Sequence, residues 1–256
     1  MAVLADWLDR LGDRFDGPGV GAIALLGSHA RGDAGPLSDV DLLRLTDGNR
    51  LPDAGSHLVD GRLVVVGDAA PAEVEAWFDR PECAVANIPG LRGGRPLRDR
   101  GGAFAALQAR AWRFVWDEAM QRKADAFARE QVIGWAEEVH KGLAGLASGD
   151  VSRLLDAAFG LSWGLNRAVG VQRGVPLTGP GGESPGWYEQ VEQAVGPEAE
   201  WARLRRRAFG LDGSPLGDRV VAGLRLYRAT VELLGDVVDT PVVRDAVRLI
   251  REARLD

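Results

Sequence analysis

Two aspartates one residue apart, Asp39 and Asp41, follow a glycine–serine pair, Gly27-Ser28, in the run GSHARGDAGPLSDVDLL from Gly27 to Leu43. Asp39 to Leu45 opens with alternating polar and apolar residues and reads as a β-strand. Side chains two apart on a strand share a face. The two carboxylates therefore stand side by side, placed to share one hard divalent cation. Mg²⁺ suits such a pair, because it takes few carboxylates and fills its remaining positions with water and phosphate oxygens. Gly27 lets the backbone approach a phosphate closely, and the Ser28 hydroxyl and nearby N–H groups can donate to its oxygens. Arg31 adds a guanidinium able to bind the same group through two N–H bonds. Each half of this pattern is common alone. Together and in this order they describe a phosphate and metal site.

The elements that must position these residues can be read from apolar spacing. An amphipathic helix over Ala2–Phe15 ends at the breaker Asp16-Gly17-Pro18-Gly19. Val20 to Leu26 is a short apolar run and reads as a buried strand that delivers Gly27-Ser28. Gly27 to Ser38 is polar and glycine-rich, a loop. His57–Val59 and Arg62–Val66 flank Asp60-Gly61 as a hairpin, since Asp-Gly suits a two-residue turn. Pro71–Phe78 reads as a short helix. Ile88–Gly102 reads as a loop crowded with Arg92, Arg95, Arg98 and Arg100, a group that could reach phosphates but reads better as a solvated surface. Beyond Ala103 helical spacing continues almost unbroken, over 104–114, 117–146, 151–172, 187–195, 198–209, 218–238 and 242–253. A glycine- and proline-rich loop at Leu177–Gly186 interrupts it. Strands followed by helices predict an α+β chain: a mixed β-sheet domain flanked by helices over 1–103, then an α-helical domain over 104–256.

The form G-S-x-A-R-G followed by S-D-x-D-L resembles the DNA polymerase beta-type nucleotidyltransferase superfamily, and within it the minimal and the two-domain aminoglycoside-modifying branches. The resemblance is carried by residues 20–45 and is diffuse elsewhere. It implies a catalytic pair, Asp39 and Asp41, that ligates Mg²⁺, with Gly27, Ser28 and Arg31 holding a nucleoside triphosphate, ATP first among them. It implies transfer of a nucleoside monophosphate to a hydroxyl of a small, aminoglycoside-like acceptor, hence a role in antibiotic resistance. Members of the superfamily usually add a third carboxylate from a neighbouring strand. The corresponding strand here, Arg62–Val66, has none; the resemblance places that position at Val64, with Asp60 and Asp68 as the nearest acids. This departure supports an alternative, a nucleotide-binding or regulatory protein that keeps the fold with impaired catalysis. A third reading, an antitoxin-like enzyme acting on a partner protein, shares the G-S-x-A-R-G form, but the long helical half counts against it. The two-domain relatives also carry a lysine on a C-terminal helix that contacts the triphosphate. Lys141, with Glu137 and His140 on the same helix face, resembles it.

Composition narrows the context. The net charge of −6 argues against a nucleic-acid or anionic-membrane binder. The single cysteine, Cys83, excludes an intrachain disulfide, and a cytoplasmic location is expected. The acid-rich N-terminus predicts no signal peptide, and no apolar run is long enough to span a membrane. Only two of the 31 basic residues are lysine, Lys123 and Lys141, in a chain rich in arginine, alanine and glycine. That scarcity adds weight to Lys141. His29 reads as an exposed loop histidine. The eight tryptophans read as core, except Trp187, which with Tyr188 lies beside the flexible loop.

Overall fold

The structure, a computed structural model, describes residues 2–48, 51–177 and 186–255. The chain forms two compact units, one of Met1–Trp116 with Pro176–Trp187, the other of Asp117–Val175 with Tyr188–Asp256. Most of the loop read at Leu177–Gly186 lies outside the described residues.

In the first unit the order is α1 (Ala2–Arg14), β1 (Val20–Leu25), α2 (Gly27–Arg31), β2 (Val40–Thr46), β3 (Gly55–Val59), β4 (Arg62–Ala69), α3 (Pro71–Asp79), α4 (Pro81–Gly93), β5 (Arg95–Asp99) and α5 (Ala103–Arg113). The five strands make one sheet in the order β3-β4-β2-β1-β5. Only β2 and β4 run parallel; the other neighbours are antiparallel, and β3 and β4 form the hairpin expected from Asp60-Gly61. One face of the sheet is closed by the apolar stripe of α1. Trp7, Leu8, Leu11 and Phe15 pack there with Ile23, Leu25, Val40, Leu42, Val64 and Val66. Each fully buried side chain of this kind contributes about 1.5–3 kcal/mol, so α1 is what holds the sheet flat side down.

The stretch read as the loop Ile88–Gly102 is instead the second half of α4, the edge strand β5 and a short 3₁₀ turn at Arg100–Gly102. Pro81 opens α4, where a missing N–H costs nothing. Ala84, Val85, Ile88 and Leu91 then form a buried stripe with helical spacing. Pro89, Gly90, Gly93 and Gly94 hid that stripe in the sequence. Pro96 is tolerated because β5 is an edge strand, bonded only to β1. Likewise Gly27–Ser38, read as a loop, begins with the helical turn α2. The helical region read as starting at 104 gives its first helix to this unit. Asp99 accepts from the N–H groups of Phe104 and Ala105, and Gln108 Nε2 donates to the carbonyls of Leu91 and Gly94, tying α5 to β5 and α4.

The second unit is helical throughout its described elements: α6 (Glu118–Gly134), α7 (Ala136–Ser148), α8 (Val151–Phe159), a π-turn (Gly160–Gly164), α9 (Leu165–Gln172), α10 (Trp187–Val195), α11 (Glu200–Phe209), α12 (Leu216–Leu234) and α13 (Pro241–Glu252). The single helix expected over 117–146 breaks at Trp135, and the Asp117 carboxylate caps its start by accepting from Met120 N–H. Trp201 is core, as expected, and donates to Thr230 Oγ1 at 2.9 Å. Trp163 and, in the first unit, Trp112 are instead substantially exposed. No described helix is long and apolar enough to cross a membrane.

Candidate functional site

Gly27 follows β1 with φ of +64°, in the left-handed region that glycine adopts without strain. A Cβ at this position would collide with Asp41 Oδ2. The carboxylate of Asp41 therefore rests on the bare backbone of Gly27, and the Leu26 N–H donates to the Asp41 carbonyl at 2.9 Å. Both halves of the sequence pattern are locked together by this contact. Ser28 and Arg31 lie in α2, which closes at Gly32 (φ +85°) with the Gly32 and Asp33 N–H groups donating to Ser28 O. Arg31 Nε donates to Asp33 Oδ2 at 3.1 Å. Gly27, Arg31 and Asp41 line one cavity of about 380 Å³, whose other walls include Val65 and Gly67 of β4 and Ala86, Pro89, Gly90 and Gly93 of α4.

Burial pushes the Asp41 carboxyl above the ordinary carboxylate range, and the negative charge of Asp39 pushes it further; His29 and Arg31 act in the opposite direction. Asp39 stands one residue before β2, not on it as expected, and its charge acts on Asp41; a divalent cation held by both would relieve that repulsion. A pair of carboxylates would suit Mg²⁺, which takes few carboxylates and fills its other positions with water and phosphate oxygens. Among the described residues no group of three or more His, Cys, Asp or Glu is arranged to hold a metal.

The position for a third carboxylate is not Val64. Val64 pairs with Val40, is fully buried, and belongs to the core beneath α1. In the parallel ladder Asp41 stands opposite Val65, so Val65 shares its face and lines its cavity. Gly67 follows two residues later on the same face. Strand β4 therefore offers the cavity a valine and a glycine, and no acid. Neither nearby aspartate replaces one. Asp68 is on the α1 face and grips the buried Arg44 through two bonds, at 2.6 and 3.1 Å; Arg44 also donates to the Pro52 carbonyl. Asp60, in the hairpin turn with φ of +49°, accepts from Trp7 Nε1 at 3.0 Å. Both acids have structural partners away from the cavity.

The remaining residues singled out by sequence are placed as follows. Lys141 belongs to α7 of the second unit, where its ammonium meets Glu138 at 2.8 Å and Glu137 at 3.0 Å, which raises its pKa; His140 is not its partner. The crowded arginines are largely engaged. Arg92 donates to the carbonyls of Ala111 and Phe114, Arg98 pairs with Asp13 and Arg100 with Asp16. These bonds brace α1, α5 and β5, not a phosphate. His29, expected to be exposed, is half-buried, with Nε2 shielded from solvent and lacking a hydrogen bond. Tyr188 sits edge-on to Trp163 and Phe209 in an aromatic cluster of the second unit. The cavity's α4 wall and Val65 were not foreseen. A signal for the wall existed in the helical spacing of Ala84, Val85, Ile88 and Leu91; for Val65 it did not, because nothing in sequence fixes the register between β2 and β4.

Residues 7–81 match the family described as nucleotidyltransferase domain. No curated protein matches the chain. Among solved structures, a nucleotidyltransferase-like protein from Exiguobacterium sibiricum 255-15 superposes with a TM-score of 0.50 at 13% identity, covering 97% of this chain and 80% of that one. At that identity the likeness speaks for the fold. The pairing of Gly27 with Asp41 thus lies inside the matched segment, and residues 7–81 of this chain are a nucleotidyltransferase domain of the polymerase beta-like superfamily.

Proposed function

We propose that the cavity beside Asp41 binds a Mg²⁺-bound nucleoside triphosphate, ATP by preference, and that the chain transfers the nucleoside monophosphate to a hydroxyl of a small molecule. The observation that carries this reading is the seat of the Asp41 carboxylate on Gly27, with Arg31 in the same cavity. Asp39 and Asp41 would hold the cation, which neutralises charge on the phosphates when bound. Gly27 leaves room for the phosphate chain, Ser28 donates to it, and Arg31 can exchange its exposed pairing with Asp33 for a phosphate oxygen at little cost, since such surface pairs are worth about 0–1 kcal/mol. Lys141 is proposed as a further phosphate contact on family resemblance alone.

In the transfer, the acceptor oxygen bonds to the α-phosphorus, the bond from that phosphorus to the bridging oxygen breaks, and pyrophosphate leaves with the electron pair. The acceptor's proton passes to water, because the β4 face holds no base. A missing general base costs about 10²–10⁴ in rate, so we propose slow turnover. A protein that binds nucleotide without turnover is the second reading, favoured by the Val65 and Gly67 face. Incubation with each triphosphate and Mg²⁺, followed by mass spectrometry of acceptors and assay of pyrophosphate, decides between them. A nucleotidyl adduct supports the first reading. Tight Mg²⁺-dependent binding with no adduct and no pyrophosphate across the acceptors tried supports the second.

A further inference from the structure

The sheet face that carries Asp41 continues beyond Val65 onto the β3–β4 hairpin, whose strand residues on this face carry no charge. Leu63, two residues before Val65 on β4, shares its face and is 46% exposed. Its antiparallel partner on β3 is Leu58, 76% exposed, and Ser56 pairs with Val65. The charged and titratable groups of this hairpin lie on the other face or in the turn. Arg62 stacks over Trp7, His57 packs against Phe15, and Asp60 and Asp68 are bound as described. Paired across the hairpin, the two exposed leucines form one apolar patch in place of two scattered residues. These two are continuous, through Val65, with the cavity of Asp41.

Resting on the nucleotide-site reading above, we propose that this face receives the acceptor, and that the acceptor is an uncharged hydroxyl compound with an apolar body, such as a neutral phenol, not a polycationic amino sugar. In-line displacement puts the attacking oxygen and the departing pyrophosphate on opposite sides of the α-phosphorus. With the phosphates held on the β1–α2 side of Asp41 by Gly27, Ser28 and Arg31, the attacking side is that of β4 and β3. A polycation would find no carboxylate on Leu58, Leu63, Val65, Ser56 or Gly67 to offset its lost hydration. An apolar ring finds two exposed leucines and a valine to bury. A phenol also ionises more readily than an alkyl alcohol, which suits a strand lacking a base.

The test is a methyl NMR titration of the full chain saturated with Mg²⁺ and α,β-methylene-ATP. 2-Naphthol and kanamycin serve as the neutral and polycationic probes. Saturable shifts confined to the Leu58, Leu63 and Val65 methyls with 2-naphthol, and none there with kanamycin, are expected. Leu63→Glu, a change at a partly exposed position, should weaken 2-naphthol by at least about tenfold, the loss of one buried leucine contact, while nucleotide affinity is unchanged. Saturation of these methyls by kanamycin, or no saturable shift with 2-naphthol, overturns the proposal while nucleotide binding stands. Failure of α,β-methylene-ATP to bind with Mg²⁺ overturns the nucleotide-site reading, and this proposal with it.

Discussion

Asp41 on β2 faces the same side of the sheet as Val65 on β4, its opposite number in the parallel ladder, while Val64 points into the core. This one register relationship places an apolar residue where the superfamily's further carboxylate is expected, beside a carboxylate already strained by burial and by Asp39. Substitutions at the two valines should therefore behave oppositely. Val65→Glu adds an acid to the cavity wall and should raise Mg²⁺ affinity and kcat, while raising KM for an acceptor whose apolar body rests on Val65. Val64→Glu buries an unpaired carboxylate among Val40, Val66 and Leu11 and should destabilise the fold by more than about 3 kcal/mol. Urea melts and steady-state assays of both variants check this. Folded Val64→Glu with raised turnover would reverse the register.

Gly27→Ala combines a positive φ with a collision against Asp41. The backbone strain alone costs about 1–2 kcal/mol. The melting temperature should fall, and ATP affinity should drop by more than about tenfold because the Asp41 carboxylate must move. Calorimetric titration with Mg²⁺ measures the second effect. Wild-type affinity in a folded Gly27→Ala protein would remove the contact from the site.

Asp68→Asn breaks the pairing that satisfies the buried Arg44. Leaving such a charge uncompensated costs about 3–5 kcal/mol, so a large loss in denaturant midpoint is expected. Nucleotide affinity at a temperature where the variant stays folded should be unchanged, since Asp68 faces away from the cavity. A selective loss of turnover without loss of stability would instead make Asp68 the relocated acid.

Much of this arrangement was legible in the residues themselves. The strand that bears Asp41, the Asp60-Gly61 hairpin and the amphipathic α1 all follow from local periodicity and turn chemistry, while Asp39, read as the first residue of that strand, lies just before it, since β2 begins at Val40. The face of β4 did not, because register between β2 and a parallel neighbour is set by α1 packing on Val40, Val64 and Val66, a non-local choice. The α4–β5 segment was hidden by its own punctuation: Pro89, Gly90, Gly93, Gly94 and Pro96 look like a loop until Pro81 is seen as a helix start and β5 as an edge. The boundary between units is shifted for a similar reason: α5 is tied to the sheet by tertiary packing of Phe104 and Leu107 and by bonds in which Asp99 accepts from the Phe104 N–H and Gln108 donates to the Gly94 carbonyl.

Lys141→Ala separates two roles. A phosphate contact predicts that ATP affinity falls by about tenfold, in line with loss of a charged hydrogen bond. Unchanged affinity in a calorimetric titration would assign Lys141 to its pairing with Glu137 and Glu138 alone.

The most direct measurement is the melting temperature of wild type and Asp41→Asn, with and without Mg²⁺ and ATP. The folded protein raises the pKa of Asp41, so the ionised carboxylate is a penalty at neutral pH that disappears as pH falls below the ordinary carboxylate range. Apo Asp41→Asn should thus melt above apo wild type at pH 7, and the gap should close in acid. Mg²⁺ with ATP should stabilise wild type, as linkage requires of a ligand that binds only the folded state, and should leave Asp41→Asn unmoved. Equal stabilisation of both proteins by Mg²⁺ and ATP would contradict the assignment of Asp41 to the metal and nucleotide site.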